Sequence, residues 1–434
     1  MTAFETRQIH EGQIPDSDTG ARALPIYQTT SFVFNDAQIA ADRFALKDLG
    51  PVYSRLANPT VQAVEERIAS LEGGVGAVLT ASGQAAAFLA IINIAGAGDH
   101  VVASPSLYGG TYNLLDVTLR KLGVETTFVE NPDNIDEWKA AVQPNTKAFF
   151  GETLTNPQSS VLNLPELSKA AHDAGVPLIV DNTLATPYLL RPIEHGADVV
   201  LHSATKFLGG HGNSIAGVIV DSGNFDYSAD PDKFPGFNEP DESYNGLVFA
   251  RDLGPDSDFG ANVSYGIKIR VQLLRDLGPS ASPFNAFLIA QGLETLSLRV
   301  ERHVENAQKV ATFLENHDQV THVNYAGLES SPYNALAKQL LPKGTGAVLS
   351  FDIAGGYDAA VKFVEALELH SHVANIGDAR SLVIHPSSTT HSQLSEDAQG
   401  KSGVNPALVR LSVGLEGVDD IIADLEKGFA AARG

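Results

Sequence analysis

Short apolar runs recur through the first half of the chain, at Val75 to Leu79, His100 to Ala103, Glu125 to Val129, Ala148 to Gly151, Pro177 to Val180, Val199 to Leu201 and Val218 to Val220. Helix-patterned stretches separate them, as in the alanine-rich Ala85 to Ile94. Strands alternating with helices predict an α/β domain around a mostly parallel sheet. Ligands of such sheets bind beyond the carboxyl ends of the strands. Ser82, Tyr108, Asn156, Asp181 and Lys206 all fall there.

The pattern changes on either side of this domain. Residues 1 to about 60 carry Pro15, Pro25, Pro51 and Pro59 with little periodicity, which predicts an extended arm of the kind that embraces a partner subunit. From Asp221 to Asp258, ten acidic residues stand against Lys233 and Arg251, and Pro231, Pro235, Pro240 and Pro255 interrupt regular structure. That texture predicts a long surface insertion, about 221 to 265. Helical spacing resumes from Phe284 to Leu298 and continues through Glu305 to Leu314. Ile421, Leu425 and Phe429 repeat at four-residue spacing in a last helix, whose first turn holds Asp419 and Asp420. Strand-like Ala347 to Phe351 and Val409 to Val413 lie between, so a smaller α+β carboxyl-terminal domain is expected. The expected organisation is an arm over 1–60, a large domain over 61–284 and a small domain over 285–434.

Composition narrows the class. A chain of 434 residues with 43% hydrophobic content is long enough for two or three domains with a large core. A formal net charge of -23 argues against nucleic acid and anionic membrane surfaces as partners, since both would repel it. Positive charge facing a phosphate must then be local. The absence of cysteine excludes disulfides, thiolate nucleophiles and cysteine-type zinc sites. No apolar run approaches the roughly 20 residues of a membrane span. The first residues, with Glu5, Glu11 and Asp16, lack a signal-peptide pattern, so the cytoplasm is the expected location.

The candidate chemistry lies in the order of the strand-end residues. Lys206 closes the run Ser203-Ala204-Thr205-Lys206 just past an apolar run, 25 residues after Asp181 at the end of another. Pyridoxal phosphate requires such a pair: an amine to form a Schiff base with its aldehyde, and an anion to keep its ring nitrogen protonated. Its phosphate is best held by backbone N–H groups at a helix start and by hydroxyls. Ser82-Gly83-Gln84 precede the alanine-rich helix, and Ser203 and Thr205 add hydroxyls. Taken singly, a lysine near a strand end is usually a solvated charge, and a serine-glycine pair before a helix is usually a plain N-cap. Order and spacing together carry the reading. Other fragments fail. Gly400-Lys401-Ser402 ends like a P-loop, but Ser395 stands where its first glycine belongs. His385 and His391 sit in Pro- and Ser-rich sequence without a third ligand, and no G-x-S-x-G elbow is present.

Seven motifs in order resemble the cystathionine and methionine metabolism family of pyridoxal-phosphate enzymes over essentially the whole chain. They are Tyr53-Ser54-Arg55 with Asn58-Pro59-Thr60, Ser82-Gly83-Gln84-Ala85-Ala86, Tyr108-Gly109-Gly110-Thr111, Glu152 with Asn156-Pro157, Asp181-Asn182-Thr183, Ser203 to Lys206, and Arg410 to Glu416. The resemblance implies PLP fold type I, an aspartate-aminotransferase-like α/β architecture with a mostly parallel large-domain sheet and a smaller α+β carboxyl-terminal domain. Phe234 to Phe237 with Glu239-Pro240-Asp241, Arg270 to Pro279, Ser282 to Phe287 and the insertion itself resemble the branch that sulfhydrylates O-acetyl-L-homoserine.

The roles that follow are those the resemblance implies. Lys206 would carry the cofactor and shuttle protons, Asp181 would pair with the pyridine nitrogen, and Tyr108 would stack on the ring and help deprotonate the incoming amino group. Asn156 and Thr183 would contact the ring's other edge. Ser82, Gly83, Gln84, Ser203 and Thr205 would hold the phosphate, joined from the neighbouring subunit by Tyr53 and Arg55. Arg410 would clamp the substrate carboxylate, with Asn375 and Tyr53 as further substrate contacts. The implied reaction is γ-replacement, with sulfide or another small thiol as nucleophile, in a homotetramer built as a dimer of dimers. Gly110 stands where methionine γ-lyases carry a cysteine, which leans away from elimination. O-succinylhomoserine sulfhydrylation, cystathionine γ-synthesis and γ-elimination use the same core residues and stay open. So does, from another class, a non-catalytic acidic scaffold with the same fold.

Overall fold

The computed structural model describes residues 2–390 and 403–433. His391, Ser395 and Gly400 to Ser402 lie outside the described residues. A seven-stranded sheet is built from β1 (Gly76–Thr80), β2 (His100–Ala103), β3 (Glu125–Phe128), β4 (Thr146–Glu152), β5 (Leu178–Asp181), β6 (Val199–Ser203) and β7 (Gly217–Asp221), in the order β1-β7-β6-β5-β4-β2-β3. Pairings among β2 to β6 are parallel, whereas β7 runs antiparallel to both β1 and β6.

Both faces of the sheet's centre are covered, which is why its central strands read as continuous apolar runs, while the edge strand β3 is polar and only partly buried. Val102, Phe149, Val180, Val200 and Val218 pack on one side with Val64 and Ile68 of the helix Pro59–Glu72 and Ile289 and Leu293 of the helix Pro283–Leu293. Val101, Phe150, Ile179, Leu201 and Ile219 pack on the other with Leu89 and Ile91 of the helix Gly83–Ile92. Strand residues two apart share a face. Glu152, Asp181 and Ser203 therefore project on the same side as Phe150, Ile179 and Leu201, toward the start of the helix Gly83–Ile92.

A second sheet contains β8 (Val320–Asn324), β9 (Val348–Ile353), β10 (Ser371–His372), β11 (Leu382–Ile384) and β12 (Leu408–Ser412), in the order β10-β11-β12-β9-β8. Only β10 and β11 pair in parallel. The last helix, Val418–Ala432, buries Ile421, Leu425 and Phe429, with Phe429 against Phe351 and Phe363.

Three expectations change. The helical stretch predicted from Phe284 is two helices, Pro283–Leu293 and Leu296–Glu315, broken at Glu294 and Thr295. The insertion is no mere surface loop: Tyr227, Phe234, Phe237 and Phe249 are buried, and Tyr227 stacks on Phe237 and on Tyr265 at centroid distances of 4.3 and 5.6 Å. Its prolines and acids dominate the one-dimensional texture, while four well-spaced aromatics do the packing. The arm is not wholly extended, because Phe4–His10 and Ala37–Phe44 are helical. Asp36 caps the second of these by accepting the Ile39 N–H.

Candidate active site

The strand ends deliver the residues. β4 and β5 run in register, with Glu152 beside Asp181. Asp181 Oδ1 accepts the Thr183 N–H at 2.9 Å, and the Thr183 hydroxyl accepts the Ser203 N–H at 2.8 Å, so the turns after β5 and at the end of β6 are tied together. Burial raises the Asp181 carboxyl above its ordinary range, partly offset by Thr183. Glu152 is raised further, by burial and by the neighbouring Asp181. A cation at this edge, such as a protonated ring nitrogen, would relieve the strain on both carboxyls. Glu152 also accepts the backbone N–H of Tyr108 at 2.5 Å. It entered the sequence reading only as a motif residue; its place at a strand end beside Asp181 was the available signal.

Close backbone approach shapes the start of the helix Gly83–Ile92. A Cβ on Gly83 would lie 2.8 Å from Ser203 Cβ, and one on Gly217 would lie 2.1 Å from the Ser82 carbonyl oxygen. Only glycine permits this contact between the helix start, β6 and β7. Ser82 caps the helix by accepting the Ala85 N–H at 3.1 Å, while the Gly83 and Gln84 N–H groups lie in the first turn, where no intrahelical acceptor exists. The Thr205 hydroxyl is differently engaged: it donates to the Ala216 carbonyl and accepts the Ala216 N–H, both at 3.1 Å.

Lys206 Nζ donates to Asn375 Oδ1 at 2.5 Å, and Arg410 Nη2 donates to the Asn375 carbonyl at 3.0 Å. One residue thus joins the lysine of the first sheet to the arginine of the second. Burial lowers the Lys206 amine below its ordinary range, and the Arg410 charge lowers it further. Burial pulls the Arg410 guanidinium down to about 10, opposed by Tyr108. Tyr108 is 55% exposed, so its aromatic side chain is accessible to a ligand. A Cβ on Gly110 would fall 2.5 Å from Tyr108 Cε1 and 2.7 Å from Gln84 Nε2, so glycine there gives the tyrosine ring its room.

Tyr53 and Arg55 stand apart from this cluster. The Arg55 guanidinium lies over the Tyr53 ring at 5.4 Å and in the field of Asp276. A large pocket between the arm and the helix Pro59–Glu72, lined by Phe44, Leu49, Arg270 and Arg275, contains none of the strand-end residues. Size alone does not mark the site. His385, expected in a polar loop, is buried between the Ser388 hydroxyl and the Pro406 carbonyl, at 2.8 and 2.9 Å.

The residues present fit pyridoxal phosphate and an amino acid. Asn156 Oδ1 and Arg410 Nε are buried polar atoms without a protein partner, as expected of groups that meet a ligand. Together with the glycine-lined cradle, the strand-end carboxylates and a lysine of lowered basicity, they define a pyridoxal-phosphate enzyme of fold type I.

Residues 5–430 match the profile of the Cys/Met metabolism PLP-dependent enzymes, and the chain belongs to that family. An O-acetyl-L-homoserine sulfhydrylase of Corynebacterium glutamicum is 58% identical over 431 residues, covering 99% of this chain and 97% of the relative. The crystal structure of an O-acetylhomoserine (thiol)-lyase from Campylobacter jejuni, which holds a pyridoxyl-lysine phosphate, superposes with a TM-score of 0.94 at 40% identity, covering 99% of this chain and 100% of the other. A cystathionine gamma-lyase from Lactobacillus plantarum complexed with L-serine gives a TM-score of 0.84 at 33% identity over the whole of both chains.

Proposed function

We propose that this enzyme carries out γ-replacement on O-acetyl-L-homoserine, with sulfide as nucleophile and L-homocysteine and acetate as products, the direct sulfhydrylation step of methionine biosynthesis. The observation that carries the reading is the junction of Lys206 and Arg410 at Asn375, which sets an amine of lowered basicity beside a guanidinium suited to an α-carboxylate. Relatives of that name, similar over nearly the whole chain, support the substrate. Gly110, standing where methionine γ-lyases carry a cysteine, leans toward replacement over elimination.

Each residue then has a task. Arg410 orients the amino acid through its carboxylate. Bound pyridoxal phosphate supplies the electron sink that acidifies the substrate's Cα. Asp181 holds the proton at the ring nitrogen, with Glu152 behind it. Lys206 takes and returns protons at Cα and Cβ, for which a flexible amine of lowered basicity is suited. The Cγ–O bond breaks as acetate leaves, and the Cγ–S bond forms as sulfide enters. Methanethiol or another small thiol is a competent alternative nucleophile.

The reading extends to assembly. Tyr53 and Arg55 complete the phosphate site of a neighbouring subunit, in a homotetramer made as a dimer of dimers, with residues 1–60 as the reaching arm. Ile14, Val33 and Phe44 of that arm are 83%, 91% and 68% exposed, an apolar surface expected of a segment that packs on a partner. Among the described residues, no helix is long and apolar enough to cross a membrane. The cytoplasm is the location proposed for a biosynthetic enzyme of this family.

Mass-spectrometric product analysis with O-acetyl-L-homoserine and sulfide, alongside O-succinyl-L-homoserine, tests the activity. Homocysteine and acetate from the acetyl ester are expected; 2-oxobutyrate and ammonia, or turnover of the succinyl ester alone, would move the enzyme to another branch. Mixing inactive Arg55→Ala and Lys206→Ala proteins should restore activity through hybrid dimers. No recovery despite proven subunit exchange would count against the shared site.

A further inference from the structure

The turn that presents Lys206 follows β6 of the large sheet, and Arg410 lies on β12 of the small one. One helix, Leu296–Glu315, is bonded both to that turn and to the segment that continues from β12. We propose that this helix is a strut that sets Lys206 relative to Arg410, with Arg299 as the positioning residue of the lysine turn. The inference rests on the roles of Lys206 and Arg410 proposed above.

Arg299 is 7% exposed and has no carboxylate partner among the described residues. Its Nη1 donates to the Phe207 carbonyl at 2.8 Å, and its Nη2 to the carbonyls of Leu208 at 3.3 Å and Gly292 at 2.7 Å. Its Nε reaches the Thr295 hydroxyl at 3.3 Å. A buried cation is costly unless its donors find acceptors, and here four hydrogen bonds reach the two carbonyls directly after Lys206 and two groups beside the helix break. Gly210 has φ of +75°, and a Cβ there would stand 2.2 Å from Arg299 Nη1, so the guanidinium fills the space the glycine leaves.

The same helix grips the arginine strand. His303 and Asn306 follow Arg299 at i+4 and i+7 spacing, on one helical face. His303 donates from Nδ1 to the Val413 carbonyl at 2.7 Å, and Asn306 donates to the carbonyls of Gly414 and Glu416, both at 2.9 Å. The His303 ring also meets Phe207 edge-on at 5.3 Å. The segment 413–416 continues directly from β12, so three side chains on one helix hold the backbone just after Lys206 and the end of the strand that carries Arg410. Such spacing matters because a displacement of about 1 Å can cost on the order of 100-fold in rate.

The test compares Arg299→Lys with Asn306→Ser in the holoenzyme, reading kcat, KM for the amino acid, thermal midpoint and the pH midpoint of the visible absorbance of the lysine-bound cofactor. Arg299→Lys keeps the charge but cannot serve several carbonyls at once. It is expected to lower kcat about 10- to 100-fold and to shift the absorbance midpoint, with KM within about threefold. Asn306→Ser should raise KM and leave the absorbance midpoint in place. Unchanged kcat and absorbance in Arg299→Lys would overturn the strut, as would parallel losses of kcat, KM and thermal midpoint in both variants. If Arg299→Lys does not fold, Thr295→Val, which removes the Nε acceptor alone, must shift the absorbance midpoint; no shift overturns the proposal. Borohydride reduction of the wild type separates the two levels of the reading. Cofactor fixed on a lysine other than Lys206 would overturn the site assignment and the strut with it.

Discussion

Replacing Lys206 with alanine is expected to abolish turnover and the visible absorbance of the bound cofactor, with kcat down by at least about 10⁴-fold, the upper range for loss of a positioned proton-transfer group. The chemistry asks one amine to serve two carbons in succession, and no second lysine bonds to Asn375 among the described residues. Product assay and absorbance at matched cofactor concentration check this, and residual turnover near the wild-type value would sink the mechanism. A linked effect appears without cofactor. Burial and Arg410 hold the folded Lys206 below its ordinary value of 10.5, so the unfolded chain binds more protons in the interval between the two values. Stability contributed by this group therefore rises as pH rises through that interval, and the alanine variant should lack that part of the slope.

Replacing Arg410 with alanine is expected to raise KM for the amino acid about 150-fold while the cofactor dissociation constant stays within a few-fold of wild type. Two hydrogen bonds to a carboxylate, each contributing about 1.5 kcal/mol, total about 3 kcal/mol, and 1.4 kcal/mol is about tenfold in binding. Arg410 is 8% exposed, donates from Nη2 to the Asn375 carbonyl and carries an Nε without a protein partner. Lysine at 410 should recover little, because a point charge does not reproduce a planar fork. Kinetics with varied O-acetyl-L-homoserine, together with cofactor titration, decide the matter. Equal losses in both constants would place Arg410 in the scaffold instead.

Much of the large sheet was written in the order of residues. Strands covered on both faces must be apolar throughout, so the central strands stand out as runs, whereas the edge strand β3 is polar at Glu125, Thr126 and Thr127 and only partly buried; Lys206 and Asp181 sit where parallel strands end. β8, β10 and β11 did not stand out. β8 is polar at Thr321, His322 and Asn324 with none of its residues fully buried, while β10 and β11 have two and three residues, too few for a period to show. The insertion was misread because its prolines and acids outnumber the aromatics that bury it.

The candidate chemistry divides in the same way. Local sequence determined which groups stand at the strand ends, because strand, turn and helix start are set by neighbours along the chain: Ser82 caps its helix, and Gly83 and Gly217 admit the close backbone contact. Tertiary structure alone decided what those groups do to one another. Lys206 and Arg410, on different sheets, meet at Asn375; Glu152 comes to lie beside Asp181; the Thr205 hydroxyl turns to Ala216; and Arg299 closes on the carbonyls after the lysine. Each of these depends on packing between segments far apart in the chain, where burial sets the charge state and the hydrogen-bond partner, and no local pattern encodes either.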